Sequence, residues 1–117
     1  MTDSIRNFVN GEFSDASDGR TTDLVDPCTG QVFATAAQSG AADIDRACAA
    51  AQTAFESWRN TTPSERQAAL LKIADAIESR ADEFVAVESR NTGKPIGLTA
   101  SEELPPMIDQ IRFFAGA

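Results

Sequence analysis

The chain has 117 residues, of which 42% are hydrophobic and 24% charged, so it has room for one domain with a modest core. Its formal net charge of −8 disfavours binding to nucleic acid or to anionic membrane surfaces, which would repel it. It contains no histidine, which excludes a Ser/His/Asp triad and a Cys/His zinc site.

The N-terminus and the two cysteines, Cys28 and Cys48, bear on the cellular compartment. Met1 to Ser4 are polar, and no apolar run resembles a secretory segment or approaches the length needed to span a bilayer. We therefore expect a cytoplasmic protein with reduced thiols. Two cysteines alone do not define a disulfide framework.

The first part of the chain predicts two short β-hairpins. Asn10-Gly11 lies between Phe8-Val9 and Glu12-Phe13 and is a strong hairpin signal, because both turn positions need positive φ. Residues 22–25 and 31–36 are predicted strands around a turn with Pro27 at its corner and Gly30 at its exit. Neither hairpin would be stable alone.

Helical periodicity then follows. The first apolar stripe recurs at three- and four-residue steps and consists of Ile44, Ala47, Cys48, Ala51, Phe55 and Trp58. Ser39 or Gly40 is the expected cap, and Asp43 and Asp45 suit the positive end of this helix.

A second helix is predicted to begin at the capping box formed by residues 62–65, with the stripe Leu70, Ile73, Ala74 and Ile77. A break is expected near residues 80–82. The third helix should then end at Gly93 in a left-handed conformation, with Lys94 near its carbonyl end and Pro95 preventing continuation.

The last segment has two possible starts. Residues 99–102 match a capping box, but Pro105-Pro106 favour a regular helix from about Leu104, with Ile108, Ile111 and Phe114 as its stripe. The chain ends at Ala117 without a capping residue, which is expected of a truncated helix. These alanine-rich stripes are expected to need more apolar surface than the chain itself provides.

Two nucleotide-binding motifs are absent. Gly93-Lys94 is not a phosphate loop, because Glu88 stands where that motif needs glycine and Pro95 where it needs Ser or Thr. The sequence has no G-x-G-x-x-G, so no dinucleotide fingerprint is present.

Five segments, in order and at characteristic spacing, carry a resemblance to a known family: Phe8-Val9-Asn10-Gly11-Glu12-Phe13, Val25-Asp26-Pro27-Cys28-Thr29-Gly30, Ala54-Phe55-Glu56-Ser57-Trp58, Glu88-Ser89-Arg90-Asn91-Thr92-Gly93-Lys94-Pro95 and Arg112-Phe113-Phe114-Ala115-Gly116-Ala117. From about Asn7 to its end, the chain resembles the N-terminal region of the aldehyde dehydrogenase superfamily. The branch that oxidises aminoaldehydes such as 4-aminobutanal is the most similar, with betaine-aldehyde enzymes close by.

The resemblance implies an α/β fold of the aldehyde dehydrogenase type. Residues 1–117 would be the N-terminal, outer part of the cofactor-binding (NAD-binding) domain, with β-hairpins over 1–38 and three or four helices over 39–117. Family members are several hundred residues longer, so the catalytic and oligomerisation domains would be absent. The full enzyme would be a homotetramer or homodimer.

In the family, a cysteine thiolate attacks the aldehyde, hydride passes to NAD or NADP, and a glutamate-activated water hydrolyses the thioester. The resemblance places that cysteine and that glutamate beyond Ala117, so the chain alone is expected to be inactive. Cys28 falls where a small residue is usual in the family. Neither Cys28, beside acidic Asp26, nor Cys48, on an apolar stripe, has the basic surroundings of a reactive thiol.

The resemblance also suggests two sites. In aminoaldehyde dehydrogenases the segment around Glu103 and Glu102 lines the substrate entrance, where acidic residues attract the substrate's ammonium group; the alternative is that this pair simply forms a negative first helical turn. In related enzymes backbone carbonyls matching Leu24 and Val25, with the residue matching Asn91, help to coordinate a monovalent cation. The alternative to this cation-binding role is that Asn91 simply caps the end of its helix.

Two other functions remain open from the sequence. A non-catalytic helical module that binds another protein through its apolar stripes also fits the missing catalytic residues. Within the family, a betaine-aldehyde or succinate-semialdehyde dehydrogenase is the alternative to an aminobutyraldehyde enzyme.

Overall fold

A computed structural model of the chain describes residues 3–117. Met1 and Thr2, part of the polar start that argues against a secretory segment, lie outside the described residues. The chain divides into two compact units, the first ending at Asn60 and the second comprising Thr61–Ala117. The predicted split into strands and then helices is observed, but the first helix belongs to the same unit as the strands.

In its described residues, 3–60, the first unit contains five short strands and one helix. They are β1 (Asp3–Ile5), β2 (Asn7–Val9), β3 (Glu12–Ser14), β4 (Thr21–Val25), β5 (Val32–Ala37) and α1 (Ala41–Trp58). The strands form a three-stranded sheet in the order β1-β5-β4 and a separate two-stranded β2-β3 ribbon.

Both predicted hairpins are confirmed. In the first, β2 and β3 are antiparallel with Val9 opposite Glu12, and Asn10 and Gly11 have φ values of 54° and 82°. In the second, β4 and β5 are antiparallel, and the intervening turn ends at Gly30 with φ 70°. The positive φ values explain why Asn and Gly occupy these turn positions.

The sequence did not predict strand β1. It pairs in parallel with β5, placing Ser4 opposite Thr35, and thereby makes β5 the central strand of the sheet. Its three residues, Asp3, Ser4 and Ile5, are exposed, and the sequence is too short and polar to show the apolar alternation by which strands are recognised.

Asp43 connects the loop after β3 to the start of α1. Its carboxylate is buried and accepts hydrogen bonds from the backbone N–H groups of Ser17, at 3.0 Å, and of Gly40, at 3.0 Å. Arg46 also donates to it, at 3.0 Å. Gly40, one of the two expected caps, is the N-cap of α1. Asp43 was expected to complement the helix dipole, and it also fixes the loop that contains Ser17, 26 residues earlier in the chain.

The second unit is helical. It contains α2 (Pro63–Glu78), α3 (Ala81–Thr92), the single turn α4 (Ile96–Leu98), a π-helical turn (Thr99–Glu103) and α5 (Leu104–Gly116). The capping box at the start of α2 is confirmed, because Thr62 N–H donates to Glu65 at 2.7 Å and Glu65 N–H donates to the Thr62 hydroxyl at 3.3 Å. The expected break falls between Glu78 and Ala81.

The core of the second unit is small and centred on Ala74. This residue is fully buried and clusters with Val85, Leu104 and Ile108, while the predicted stripe residue Ile77 packs against the cluster. Two other predicted stripe residues lie largely in solvent: Ile73 is 50% exposed and Phe114 is 67% exposed. The helices thus pack around Ala74 and a few aliphatic residues and leave large apolar side chains on the surface, as expected of stripes that need more apolar surface than the chain provides.

We predict that Asp43→Asn loosens the loop containing Ser17. The substitution removes the charge and one acceptor oxygen, so amide hydrogen exchange at Ser17 and Gly40, followed by NMR, should be faster than in the parent chain. Asp45→Asn, an exposed neighbour on the same helix turn, is the matched control and should leave both amides protected. Equal protection of Ser17 in the two variants would contradict the proposed connection.

The same contact should depend on pH. The N–H of Gly40 and then that of Ser17, outweighing burial, hold the pKa of Asp43 below its usual value. Because the folded pKa is the lower one, the stabilisation is complete above the unfolded value and is lost as the pH falls below about 4. Protection of Ser17 should therefore decline at acid pH in the parent and stay low throughout in Asp43→Asn.

Candidate functional site

The turn after α3 positions the candidate site. Helix α3 ends at Gly93, whose φ of 78° is left-handed and whose N–H donates to Ser89 O at 2.8 Å. This confirms the predicted helix stop. The Ser89 hydroxyl donates to Lys94 O at 2.7 Å, which fixes the backbone of the next residue against the last turn of the helix.

Lys94 forms ion pairs with two carboxylates. Its Nζ lies 2.8 Å from Glu103 Oε2 and 3.1 Å from Glu88 Oε1, so one ammonium group joins the end of α3 to the π-helical turn. Hydrogen bonds to Glu103 and then to Glu88 raise the pKa of Lys94 above its usual range. Lys94 is therefore charged at any physiological pH, and the three side chains together carry a net charge of −1.

These three side chains border a groove of about 320 Å³ in the second unit. Its other walls are mostly apolar, and the lining consists of Phe84, Val87, Glu88, Lys94, Thr99, Glu103, Leu104 and Met107. Phe84, Val87 and Met107 are each more than 40% exposed, so the apolar wall is open to a ligand. The groove combines an apolar surface with a weakly negative polar end.

The π-helical turn determines where Glu103 lies. Thr99 is buried and its hydroxyl donates to Pro95 O at 3.2 Å, so residue 99 is already inside a helical segment that began at Ile96. The expectation of a capping box over residues 99–102 is therefore wrong, whereas the predicted regular helix from Leu104, with prolines in its first turn, is confirmed. Such a turn shifts the side chains that follow it relative to a regular helix.

Of the two predicted entrance residues, the structure places one in the groove. Glu103 lines it and is paired with Lys94, whereas Glu102 is exposed and is not among the lining residues. Glu102 lies in the first turn of the π-helical segment, as the alternative of a negative first turn describes, whereas Glu103 is the last residue of that segment and directly precedes α5. Sequence reasoning missed Lys94 and Glu88 as partners, since residues 88, 94 and 103 follow no helical spacing across a glycine turn.

The predicted cation ligands occupy two different units. Leu24 and Val25 end strand β4 in the first unit, and Asn91 lies in the last turn of α3 in the second. The helix-end role that the sequence offered for Asn91 falls to Gly93 instead. Within residues 3–117, no group of three or more acidic, cysteine or histidine side chains is placed to hold a metal. The cation site remains a prediction.

The two thiols have separate surroundings. Cys28 is exposed in the turn between β4 and β5, where its N–H donates to Asp26 Oδ1 at 2.7 Å. Cys48 is an exposed residue of α1. Cys48 was expected on a packed apolar stripe, and its exposure shows that this part of the stripe is not covered in the chain.

The start of α1 does not offer a dinucleotide site. Strand β5 leads directly into α1, which is the type of connection that binds pyrophosphate in nucleotide-binding folds. Here the carboxylate of Asp43 already accepts the N–H of Gly40 at this helix terminus, so a phosphate would meet a negative charge. The start of α1 is therefore unsuited to hold a pyrophosphate.

Comparison with known proteins identifies the family. The model of the aldehyde dehydrogenase family matches residues 13–117, so the chain belongs to this family. It is 41% identical over 112 residues to an aminoacetaldehyde dehydrogenase from Pseudomonas aeruginosa, covering 94% of this chain and 23% of the relative. It is also 40% identical over 111 residues to a mitochondrial benzaldehyde dehydrogenase from Antirrhinum majus, covering 93% of this chain and 21% of the relative.

A solved structure agrees with this assignment. The chain superimposes on an aldehyde dehydrogenase from Bacillus cereus, determined as a complex with NAD+, with a TM-score of 0.94 and 34% identity over 97% of this chain and 24% of that one. The expected aldehyde dehydrogenase-like fold is thus confirmed. The chain spans less than a quarter of the length of the curated relatives described above. Among the described residues, no helix is long and apolar enough to cross a membrane.

We predict opposite effects of alanine at two nearby glycines. Gly93→Ala should destabilise the second unit by about 1 kcal/mol, because a Cβ is disfavoured in the left-handed conformation. Gly97→Ala, at a helical position with no heavy atom near the added Cβ, should be neutral or stabilising by up to about 1 kcal/mol. Urea denaturation followed by circular dichroism measures both; equal stability of the two variants would contradict the role of Gly93.

Proposed function

We propose that the chain is the N-terminal part of an NAD(P)-dependent aldehyde dehydrogenase that oxidises an aminoaldehyde, such as 4-aminobutanal, to the carboxylate. The observation that carries the substrate class is the groove beside Glu103. Its apolar wall suits a short methylene chain, and its polar end, formed by Glu88, Lys94 and Glu103, has a net negative charge.

The charge of this polar end separates the candidate substrates. A terminal ammonium group is attracted by a carboxylate in a confined groove, where the effective dielectric constant is below that of water. An aldehyde with a carboxylate tail, such as succinate semialdehyde, would be repelled. A betaine-type aldehyde carries the same positive charge but cannot donate N–H hydrogen bonds to Glu103, so an aminoaldehyde fits better.

The relatives support the family more firmly than the substrate. One is named as an aminoacetaldehyde dehydrogenase and the other as a benzaldehyde dehydrogenase, at nearly the same identity. Overall similarity therefore does not choose between an amino and an aryl substrate. The acidic groove favours the amino substrate, because a neutral aromatic ring gains nothing from a carboxylate pair.

The rest of the reaction machinery belongs to the remainder of the enzyme. The proposed oxidant is NAD or NADP, which supplies hydride acceptance; the chain lacks a dinucleotide fingerprint, and Asp43 occupies the start of α1. The nucleophilic cysteine and the general-base glutamate are likewise proposed to lie beyond Ala117. A cytoplasmic homotetramer or homodimer is the proposed state of the whole enzyme.

We predict that the 117-residue chain alone neither oxidises aldehydes nor binds NAD tightly. NADH formation at 340 nm with 4-aminobutanal, together with calorimetric titration of the chain with NAD+, tests this directly. The full-length enzyme is the positive control. Turnover by the isolated chain would contradict the assignment of the catalytic groups to the missing part.

We predict that Glu103→Gln in the full-length enzyme lowers kcat/KM for 4-aminobutanal by about five- to tenfold and leaves pentanal, its neutral analogue of similar length, within about twofold. The loss arises because only the ammonium substrate interacts with the carboxylate. Glu102→Gln tests the second entrance residue and should have the smaller effect, since Glu102 does not line the groove.

The control is Asp82→Asn, which removes the same charge in the first turn of α3, about 9 Å along the helix from Glu88 at the polar end of the groove. It should leave both aldehydes unaffected. Equal losses for 4-aminobutanal and pentanal in Glu103→Gln would show damage to the fold rather than loss of ammonium recognition. An unchanged preference in both glutamine variants would contradict the acidic entrance.

A further inference from the structure

We propose that Lys94 is a specificity-determining residue that competes with the substrate's ammonium group for the carboxylate of Glu103. This inference rests on the proposed function, because it concerns the polar end of the same groove. The inference goes beyond the proposed function because it assigns a role to Lys94 and predicts in which direction removal of this lysine changes substrate preference.

The geometry supports a competition. The carboxylate that would receive a substrate ammonium already accepts a hydrogen bond from Lys94 Nζ at 2.8 Å. Glu103 is 39% exposed and Lys94 41% exposed, so both groups face the groove and solvent rather than being sealed in the core. An incoming ammonium therefore shares Glu103 with Lys94 or displaces it.

Glu88 sets how strongly Lys94 holds Glu103. It contacts the same Nζ at 3.1 Å from the end of α3, so the lysine divides its interaction between two carboxylates. When a substrate ammonium takes Glu103, Lys94 still has Glu88 as a partner and is not left unpaired. Glu88 thus lowers the cost of displacement and supplies the second negative charge that makes the groove end net negative.

The competition predicts how each charge change alters the preference for ammonium substrates. Removing the lysine charge changes the net charge of the three groups from −1 to −2 and frees Glu103, so kcat/KM for ammonium substrates should rise. Removing the Glu88 charge leaves a neutral Lys94–Glu103 pair, so kcat/KM for ammonium substrates should fall. A purely structural role for Lys94 would instead reduce activity towards charged and neutral aldehydes alike.

The test uses the full-length enzyme and the ratio of kcat/KM for 4-aminobutanal to that for pentanal. Lys94→Met should raise this ratio about fivefold and Glu88→Gln should lower it about two- to fivefold, the range expected for partly exposed charges. Lys94→Arg retains the charge and should keep the ratio within about twofold of the parent. Lys72→Met, the same substitution on the exposed surface of α2, changes the net charge equally and should leave the ratio unchanged.

The outcomes distinguish this inference from the proposed function. A parent ratio well above one that falls in Glu103→Gln, combined with an unchanged or lower ratio in Lys94→Met, would overturn the competition while the acidic entrance stands. A ratio near one in the parent and in all the variants would overturn both. If Lys94→Met does not fold, Glu88→Gln decides, because a ratio that stays the same or rises contradicts the competition.

Discussion

The ammonium group of Lys94 connects the segments on which the candidate site depends. Gly93 ends α3 in a left-handed turn, and this turn places Lys94 close to Glu88, on the preceding helix, and to Glu103, in the following π-helical turn. The two ion pairs of this one ammonium group therefore join the segments at one end of the groove and determine its charge. The glycine, the lysine and the two carboxylates act as one arrangement.

The second constraint is the small amount of apolar surface that the chain buries. The helices of the second unit pack through Ala74 and a few medium-sized residues, whereas Phe113 and Phe114 are 71% and 67% exposed. Close helix packing gives a defined groove wall without a large core. This exposed apolar surface is what the proposed function requires of a chain that supplies one wall of a larger enzyme.

Local sequence signals predicted the local structure well. Asn10-Gly11 predicted its hairpin and the Thr62 capping box its helix start, because each depends on a few neighbouring residues with strict backbone requirements. Strand β1, by contrast, exists through its pairing with β5 and has no apolar pattern of its own. The burial of Asp43 is similar, since its partner Ser17 comes from a distant loop.

The candidate site was predictable only in part. The resemblance pointed to Glu103, but its pairing with Lys94 depends on the π-helical turn, which no spacing rule in the sequence announces. Glu102 could not be distinguished from Glu103 by sequence, because it is adjacent and equally acidic, yet it does not line the groove. The geometry of the turn, rather than composition, separates the two carboxylates.

The measurement that tests the account most directly is the intact mass of the native polypeptide, obtained by mass spectrometry of the protein captured from its source cells with an antibody to this chain. The account predicts a product several times heavier than the 12.4 kDa of these 117 residues, since the proposed catalytic cysteine and cofactor site belong to additional chain. A stable product of 12.4 kDa would contradict it and would make a non-catalytic binding module the better explanation of the exposed apolar stripes.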